Sequence, residues 1–239
     1  MPDYTTFETR VKATERTGIR LYTIDHIHNY AFYRLLLGEP APSKANILLS
    51  AGVHGDEPAG VEAILQFLER DLTDLLNRFH ILVLPCVNPS GYANDTRENV
   101  KDEDINRAFK DEIPDSMLIK EQLAGRRFDI FLDMHEDYDA TGTYFYEGQR
   151  DEKWLAPSIA QQAKEIGTLD DDVSENDIPL AEGVLQVDPA WAERGFTSYV
   201  YEHHTDHAII TETSSNWPLP KRVEVHLLAL DMILNHYSE

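Results

Sequence analysis

His54 and Glu57 stand three residues apart in AGVHGDEPAG, between an apolar run (45–53) and a stretch with helical periodicity (58–76). An imidazole and a carboxylate at that spacing can converge on one cation if the backbone turns between them, and Gly55 permits such a turn. His-x-x-Glu arises often by chance, so the pair needs support from elsewhere in the chain. His135 closes a second apolar run, FDIFLDMHE (128–136). A histidine there is ordinarily structural, but the ends of buried strands are where ligand crevices form in open α/β sheets. Two histidines and one glutamate form a known catalytic zinc set that leaves a fourth coordination position for water.

Glu212 lies in a third apolar run, AIITETSS. An ionised carboxylate buried in a strand is costly unless something compensates it. A nearby Zn²⁺ and its water would do so, whereas a strand end open to solvent would need no compensation. Arg97, Asn106 and Arg107 fall in the loop-like stretch NPSGYANDTRENVKDEDINRAF (88–109). A guanidinium offers a planar pair of donors that matches a carboxylate, and it also stabilises a developing oxyanion. Solvent is the usual surrounding of an arginine. The flanking Ile105, Ala108 and Phe109 nevertheless predict partial burial for the Asn-Arg pair.

These side chains require a scaffold. IRLYTI (19–24) and YAFYRLLLG (30–38) read as strands, and ANILLSAGV (45–53) reads as a strand covered on both faces. Val61, Ile64, Leu65, Phe67, Leu68, Leu72 and Leu75 recur at helical spacing over 58–76, with Pro58 in the first turn. HILVLPCV (80–87) returns as a strand, so the unit should cross over right-handedly. The runs at 128–136 and 207–215 predict two more buried strands, and 154–167 and 222–237 predict helices. Alternation of this kind argues for an α/β domain with a largely parallel or mixed sheet. DDDVSEND (170–177) reads as an acidic loop.

A length of 239 residues with 42% hydrophobic content suits a single domain over 1–239, and no linker divides it. Forty-three acidic residues against 21 basic ones give a formal charge of −22. Such a field disfavours nucleic acid and anionic membrane surfaces as partners, although a plain acidic surface accounts for it equally. Cys86 is the only cysteine, so no intrachain disulfide forms, and its setting in ILVLPCVN predicts a buried, inert thiol. The first residues lack the apolar core of a signal peptide and no run is long enough to cross a bilayer, which predicts a cytoplasmic setting. His203, His204 and His207 in YEHHTDH read as a solvated loop, with a second metal site as the alternative. Nothing in the sequence sets the oligomeric state.

The motifs together resemble the zinc carboxypeptidase superfamily, which also contains aspartoacylase and succinylglutamate desuccinylase. AGVHGDEPAG is similar to its His-x-x-Glu segment, which implies that His54 and Glu57 are zinc ligands, and FLDMH is similar to the strand ending in the third, His135. NPSGYAND resembles its Asn-Pro-x-Gly stretch, and Arg97 is similar to the arginine that polarises the scissile carbonyl. DINRAF resembles the Asn-Arg motif that grips a substrate carboxylate, here Asn106 and Arg107. ITETS resembles the strand carrying the catalytic base, here Glu212. The resemblance covers about residues 45–215, with five motifs in the family's order. It implies an α/β/α sandwich around a mixed, twisted sheet, one zinc ion, and hydrolysis of an amide near a free carboxylate in a peptide.

The sequence departs from the peptidase branch in two places. The tyrosine that precedes the catalytic glutamate there has no clear counterpart: Tyr199 and Tyr201 read as strand residues, and Trp191 stands nearer the expected spot. The tract HEDYDATGTYFYEG after the third ligand also differs, and its Glu136 and Asp137 are either supports for a ligand or solvated acids. The short spacing from Arg97 to the Asn-Arg pair resembles the deacylase branch, whereas the roughly 77 residues from His135 to Glu212 lean towards the peptidases. The rival readings are an N-acyl amino acid deacylase, a peptidoglycan-peptide amidase, and a silent module that only binds carboxylates.

Overall fold

In the computed structural model, which describes residues 3–151, 153–170, 177–187 and 195–238, the first half runs α1 (Tyr4–Ala13), β1 (Ile19–Ile27), β2 (Tyr30–Leu37), β3 (Ala45–Ala51), α2 (Pro58–Glu69), α3 (Thr73–Arg78), β4 (Phe79–Leu84) and α4 (Pro89–Asn94). A 3₁₀ turn (Ile105–Arg107) leads to α5 (Pro114–Leu123), β5 (Ile130–Asp137), β6 (Thr143–Gln149), α6 (Ala156–Ala163), β7 (Pro179–Ala181), β8 (Val184–Gln186), α7 (Phe196–His203), β9 (His207–Ser214) and α8 (Leu219–His236).

All nine of these strands join one mixed sheet in the order β1-β2-β4-β3-β5-β9-β6-β8-β7. Its centre, β4-β3-β5-β9, is parallel, while β1 and β2 at one end and β6 against β9 at the other pair antiparallel. The central strands are buried over most of their length because helices cover both faces. One core holds Ile47, Leu49, Leu132 and Ile209 against Val61, Leu65 and Phe67 of α2, Ile159 of α6 and Leu230 of α8. The other holds Leu48, Phe131 and Ala208 against Ile119 of α5 and Phe196 and Val200 of α7. The expected α/β/α sandwich around a mixed sheet is the architecture observed.

The chain leaves β3 towards β4 on one side and later returns with β5 on the other. The carboxyl ends of β3 and β5 therefore flank a topological switch point, where open α/β sheets bind ligands. This is where the sequence-predicted residues emerge.

Several elements differ from expectation. The helix read as 58–76 is two helices, because Arg70 adopts an extended conformation and the Asp71 carboxylate accepts the Thr73 N–H at 3.0 Å. The Leu68 and Arg70 carbonyls freed by this break accept from the Arg16 guanidinium at 2.8 and 2.7 Å. Tyr199 and Tyr201 lie in helix α7 rather than a strand, where Phe196 stacks on Phe109 with ring centroids 4.9 Å apart. That packing overrides the β preference of the aromatics. Trp191 and most of the acidic stretch 170–177 lie outside the described residues. Asp170 itself is buried and accepts the Thr141 N–H at 2.6 Å, so it holds a turn rather than facing water. Among the described residues, no helix is long and apolar enough to cross a membrane.

Candidate metal centre

His54 leaves the end of β3 on a tight loop. Gly55 matters there for a different reason from the one expected: its φ is not positive, but a Cβ would lie 2.0 Å from the Gly91 carbonyl carbon. The loop is pressed against α4, and only glycine fits. Glu57 occupies the position before α2, and Pro58 opens the helix. His135 arrives from β5. All three are buried, and one donor atom from each lies within 4.8 Å of the others. Among the described residues this is the group of histidine, cysteine and acidic side chains that converges in this way.

The outer partners settle which nitrogens face the centre. His135 Nε2 lies 3.1 Å from Asp133 Oδ2 and its Nδ1 lies 3.0 Å from Glu57 Oε2, so Nδ1 is the nitrogen turned towards the centre. Asp133 is fully buried and its other bonds come from Ser50 Oγ and from Thr197 Oγ1 at 2.7 Å. His54 Nδ1 meets Glu57 Oε1, while its Nε2 points towards Asp104 Oδ1 at 3.6 Å. Two imidazoles, each presenting Nδ1 and one of them held from behind by Asp133, converge with one glutamate. That donor set suits a divalent cation.

Electrostatics agree. Burial acts to raise the Glu57 carboxyl, but the His54 and His135 charges outweigh it and hold its pKa at about 2. Burial opposes protonation of His135, yet Asp133 and Glu57 lift its pKa well above the ordinary value. Burial likewise acts to raise Asp104, and His54 and Arg97 overcome it. Asp133 and Glu57 thus favour positive charge at His135, beside the place a cation would take.

Glu212 sits on β9 directly beside His135, the two being register partners across the parallel pair. Burial, reinforced by Glu57, Asp137 and Asp133, pushes its pKa up to about 8 despite the opposing charge of His135. Arg97 grips Asp104 through Nε and Nη2, each at 3.1 Å, and turns Nη1 inward to 3.3 Å from His54 Nδ1. Asn106 is half-buried, and its Oδ1 accepts the Phe196 N–H at 2.9 Å, capping α7 from outside. Arg107 is exposed, contrary to the partial burial expected of it. Ile105, Ala108 and Phe109 take the inward positions of that turn and leave Arg107 on the cleft wall.

The cleft has a volume of about 580 Å³ and contains all seven sequence-predicted residues among its lining. Three further residues of the site, Tyr144, Tyr146 and Asp133, escaped the sequence. Tyr144 and Tyr146 line the cleft from β6, and the Tyr144 hydroxyl donates to Asp137 Oδ2 at 2.7 Å. Asp133 was hidden within an apolar run. Glu136 is buried, whereas Asp137 is half-buried at the rim. The reading of YEHHTDH as a solvated loop fails at His207, which is buried with Nε2 at 2.7 Å from Glu147 Oε1 and Nδ1 at 2.7 Å from Tyr237 Oη. His204 is also buried, with Nδ1 3.1 Å from the Arg126 carbonyl. Cys86 is a buried free thiol, as expected, and burial raises its pKa.

Fold and site together place the chain in the zinc carboxypeptidase-like superfamily. Within it, the chain belongs to the succinylglutamate desuccinylase/aspartoacylase catalytic domain family, whose model matches residues 43–169. The chain is 33% identical over 123 residues to carboxypeptidase E of Caenorhabditis elegans, covering 42% of this chain and 26% of that protein. It is 41% identical over 70 residues to murein peptide amidase A of Escherichia coli K12, covering 29% of this chain and 28% of that one. These matches thus span about a quarter of the relatives' length. Among solved structures, a candidate metallopeptidase from Shewanella amazonensis superposes with a TM-score of 0.86 at 25% identity, covering 98% of this chain and 93% of that one. A metallo-carboxypeptidase from Burkholderia cenocepacia has the same fold, with a TM-score of 0.72 at 14% identity over 95% of this chain and 67% of that one.

Proposed function

We propose that the protein is a zinc-dependent metallocarboxypeptidase that cleaves an amide bond near a free carboxylate of a peptide. One observation carries the reading: two imidazole Nδ1 atoms and the Glu57 carboxylate converge beside a glutamate that is the register partner of His135. A binding module has no need of that glutamate. Two imidazoles and one carboxylate favour zinc among divalent metals.

Bound zinc would supply Lewis acidity, lowering the pKa of a water and polarising a carbonyl. Glu212 takes the proton from the attacking water and returns it to the departing amine. Its place beside His135 keeps that proton at the centre throughout. Arg97, held by Asp104 and turned inward, stabilises charge developing on the carbonyl oxygen. Arg107 pairs with the substrate carboxylate at the cleft wall. Asn106 both caps α7 and lines the same wall, so it fixes the position of the clamp.

A second reading, removal of an acyl group from an N-acyl amino acid, is favoured by the family whose model matches residues 43–169. It uses the same metal, base and arginines. Incubating the zinc-loaded protein in parallel with free-acid peptides, their C-terminal amides and N-acyl amino acids decides between them. Release of C-terminal residues from free-acid peptides alone supports the peptidase. Turnover of acyl amino acids alone transfers the assignment to the deacylase, and no turnover of either removes both.

A further inference from the structure

We infer that Glu136 and Arg222 form a positioning strut for the metal ligand Glu57, coupling the last helix to the affinity of the metal centre. The inference rests on the metal-site reading above. It starts from a conflict at the beginning of α2. Glu57 stands at the capping position of that helix, yet its side chain makes no cap bond, because both oxygens are turned towards His54 and His135. Pro58 has no N–H, so the first open donor of the helix is Ala59.

Glu136 resolves the conflict from a different strand. Its Oε1 accepts the Ala59 N–H at 2.6 Å, and its own backbone N–H donates to Glu57 Oε2 at 3.1 Å. Each glutamate thus accepts from the backbone of the other's segment, and two reciprocal bonds lace residues 57–59 to residues 135–136. The lacing needs α2 to lie very close to β5. A Cβ on Gly60 would sit 2.7 Å from Met134 Cβ, so glycine is required there.

A carboxylate buried as deeply as Glu136 is costly without a counter-charge. Arg222 of α8 supplies it through an ion pair with Oε2. The Arg222 Nε is itself buried without a hydrogen-bond partner, so this guanidinium depends on Glu136. The path Arg222–Glu136–Glu57 therefore runs from α8 to a donor atom of the centre.

The test measures the zinc dissociation constant of the full chain by competition with a chromogenic chelator, and the visible spectrum of the cobalt-substituted protein. Supports of this kind change metal affinity by about 10–100-fold, so Glu136→Ala and Arg222→Met should each weaken zinc by about that factor and alter the cobalt spectrum. The double variant Glu136→Gln/Arg222→Met should return to within about threefold of wild type, because an amide oxygen still accepts from Ala59 and no unpaired charge remains. If Glu136→Ala does not fold, Arg222→Met and the double variant carry the test. Zinc affinity unchanged in the single variants, with only the melting temperature of the metal-free protein lowered, overturns the strut. So does a double variant as weak as the single ones. A wild-type protein that takes up no zinc overturns the site reading and the strut with it, which separates the two failures.

Discussion

His135 and Glu212 face each other in register across the parallel pair β5–β9, and Tyr144 is the register partner of Glu212 on its other side. Register partners point to the same face of a sheet at roughly 5 Å spacing. An imidazole, an acid and a phenol thus form a row across three strands, all lining one cleft. The row is fixed by backbone pairing, so the acid cannot drift from the centre without breaking the sheet.

Glu212→Gln should therefore leave zinc binding intact while kcat falls by about 10²–10⁴-fold, the usual worth of a positioned general base. Steady-state kinetics beside metal analysis of the same sample check this. Unchanged turnover would remove Glu212 from the chemistry.

Asp133 holds His135 through Nε2 and is itself fixed by Ser50 and Thr197. Asp133→Asn should weaken zinc by about 10–100-fold, since the imidazole loses the group that fixes its tautomer and ring orientation. Calorimetric titration of the chelator-treated protein with zinc reads this directly, and equal affinities would show that the ring is held by packing alone.

The convergence of His54, Glu57 and His135 was legible because each stands where an apolar run gives way to polar residues, and strand ends converge at a switch point. Asp133 was not, because FLDMH reads as one apolar strand. The clue is parity: Asp133 lies two residues before His135 and so shares its face. Tyr144 and Tyr146 carry the same signature in TYFYEG, where alternation within a run of strand-favouring residues places both on one face. Helix α7 could not be read locally. Its aromatics favour a strand, and its packing against Phe109, far away in the chain, decides otherwise. The short helices α1, α4 and α5 escaped for a related reason: their apolar faces are narrow and take meaning only from what they cover.

Arg107 is exposed on the cleft wall, so its removal should not disturb the core. Arg107→Ala is expected to raise KM for substrates bearing a free carboxylate, with a smaller change in kcat. C-terminally amidated analogues should be affected far less. An equal loss on both substrate types would mean that Arg107 does not read the carboxylate.

The raised pKa of Glu212 makes a separate prediction for the metal-free protein. A carboxyl whose folded pKa lies above its ordinary value of 4.5, here at about 8, binds more protons folded than unfolded between those limits. Its contribution to stability is fully present below about pH 4.5 and is lost as the pH rises through about 8. His135, whose pKa is also raised, acts in the same direction, while Glu57, held low, loses its contribution only in strong acid. Comparison with Glu212→Gln isolates the contribution of Glu212 together with its coupling to these two groups. In urea titrations with chelator present, the variant should gain on wild type steadily from pH 5 to pH 8, by at most roughly 1.4 kcal/mol per pH unit. Zinc should abolish the trend, because a cation beside Glu212 favours the ionised form at every pH in that range. A difference independent of pH in the metal-free protein would mean that Glu212 is already ionised there, and that the buried environment does not hold its proton.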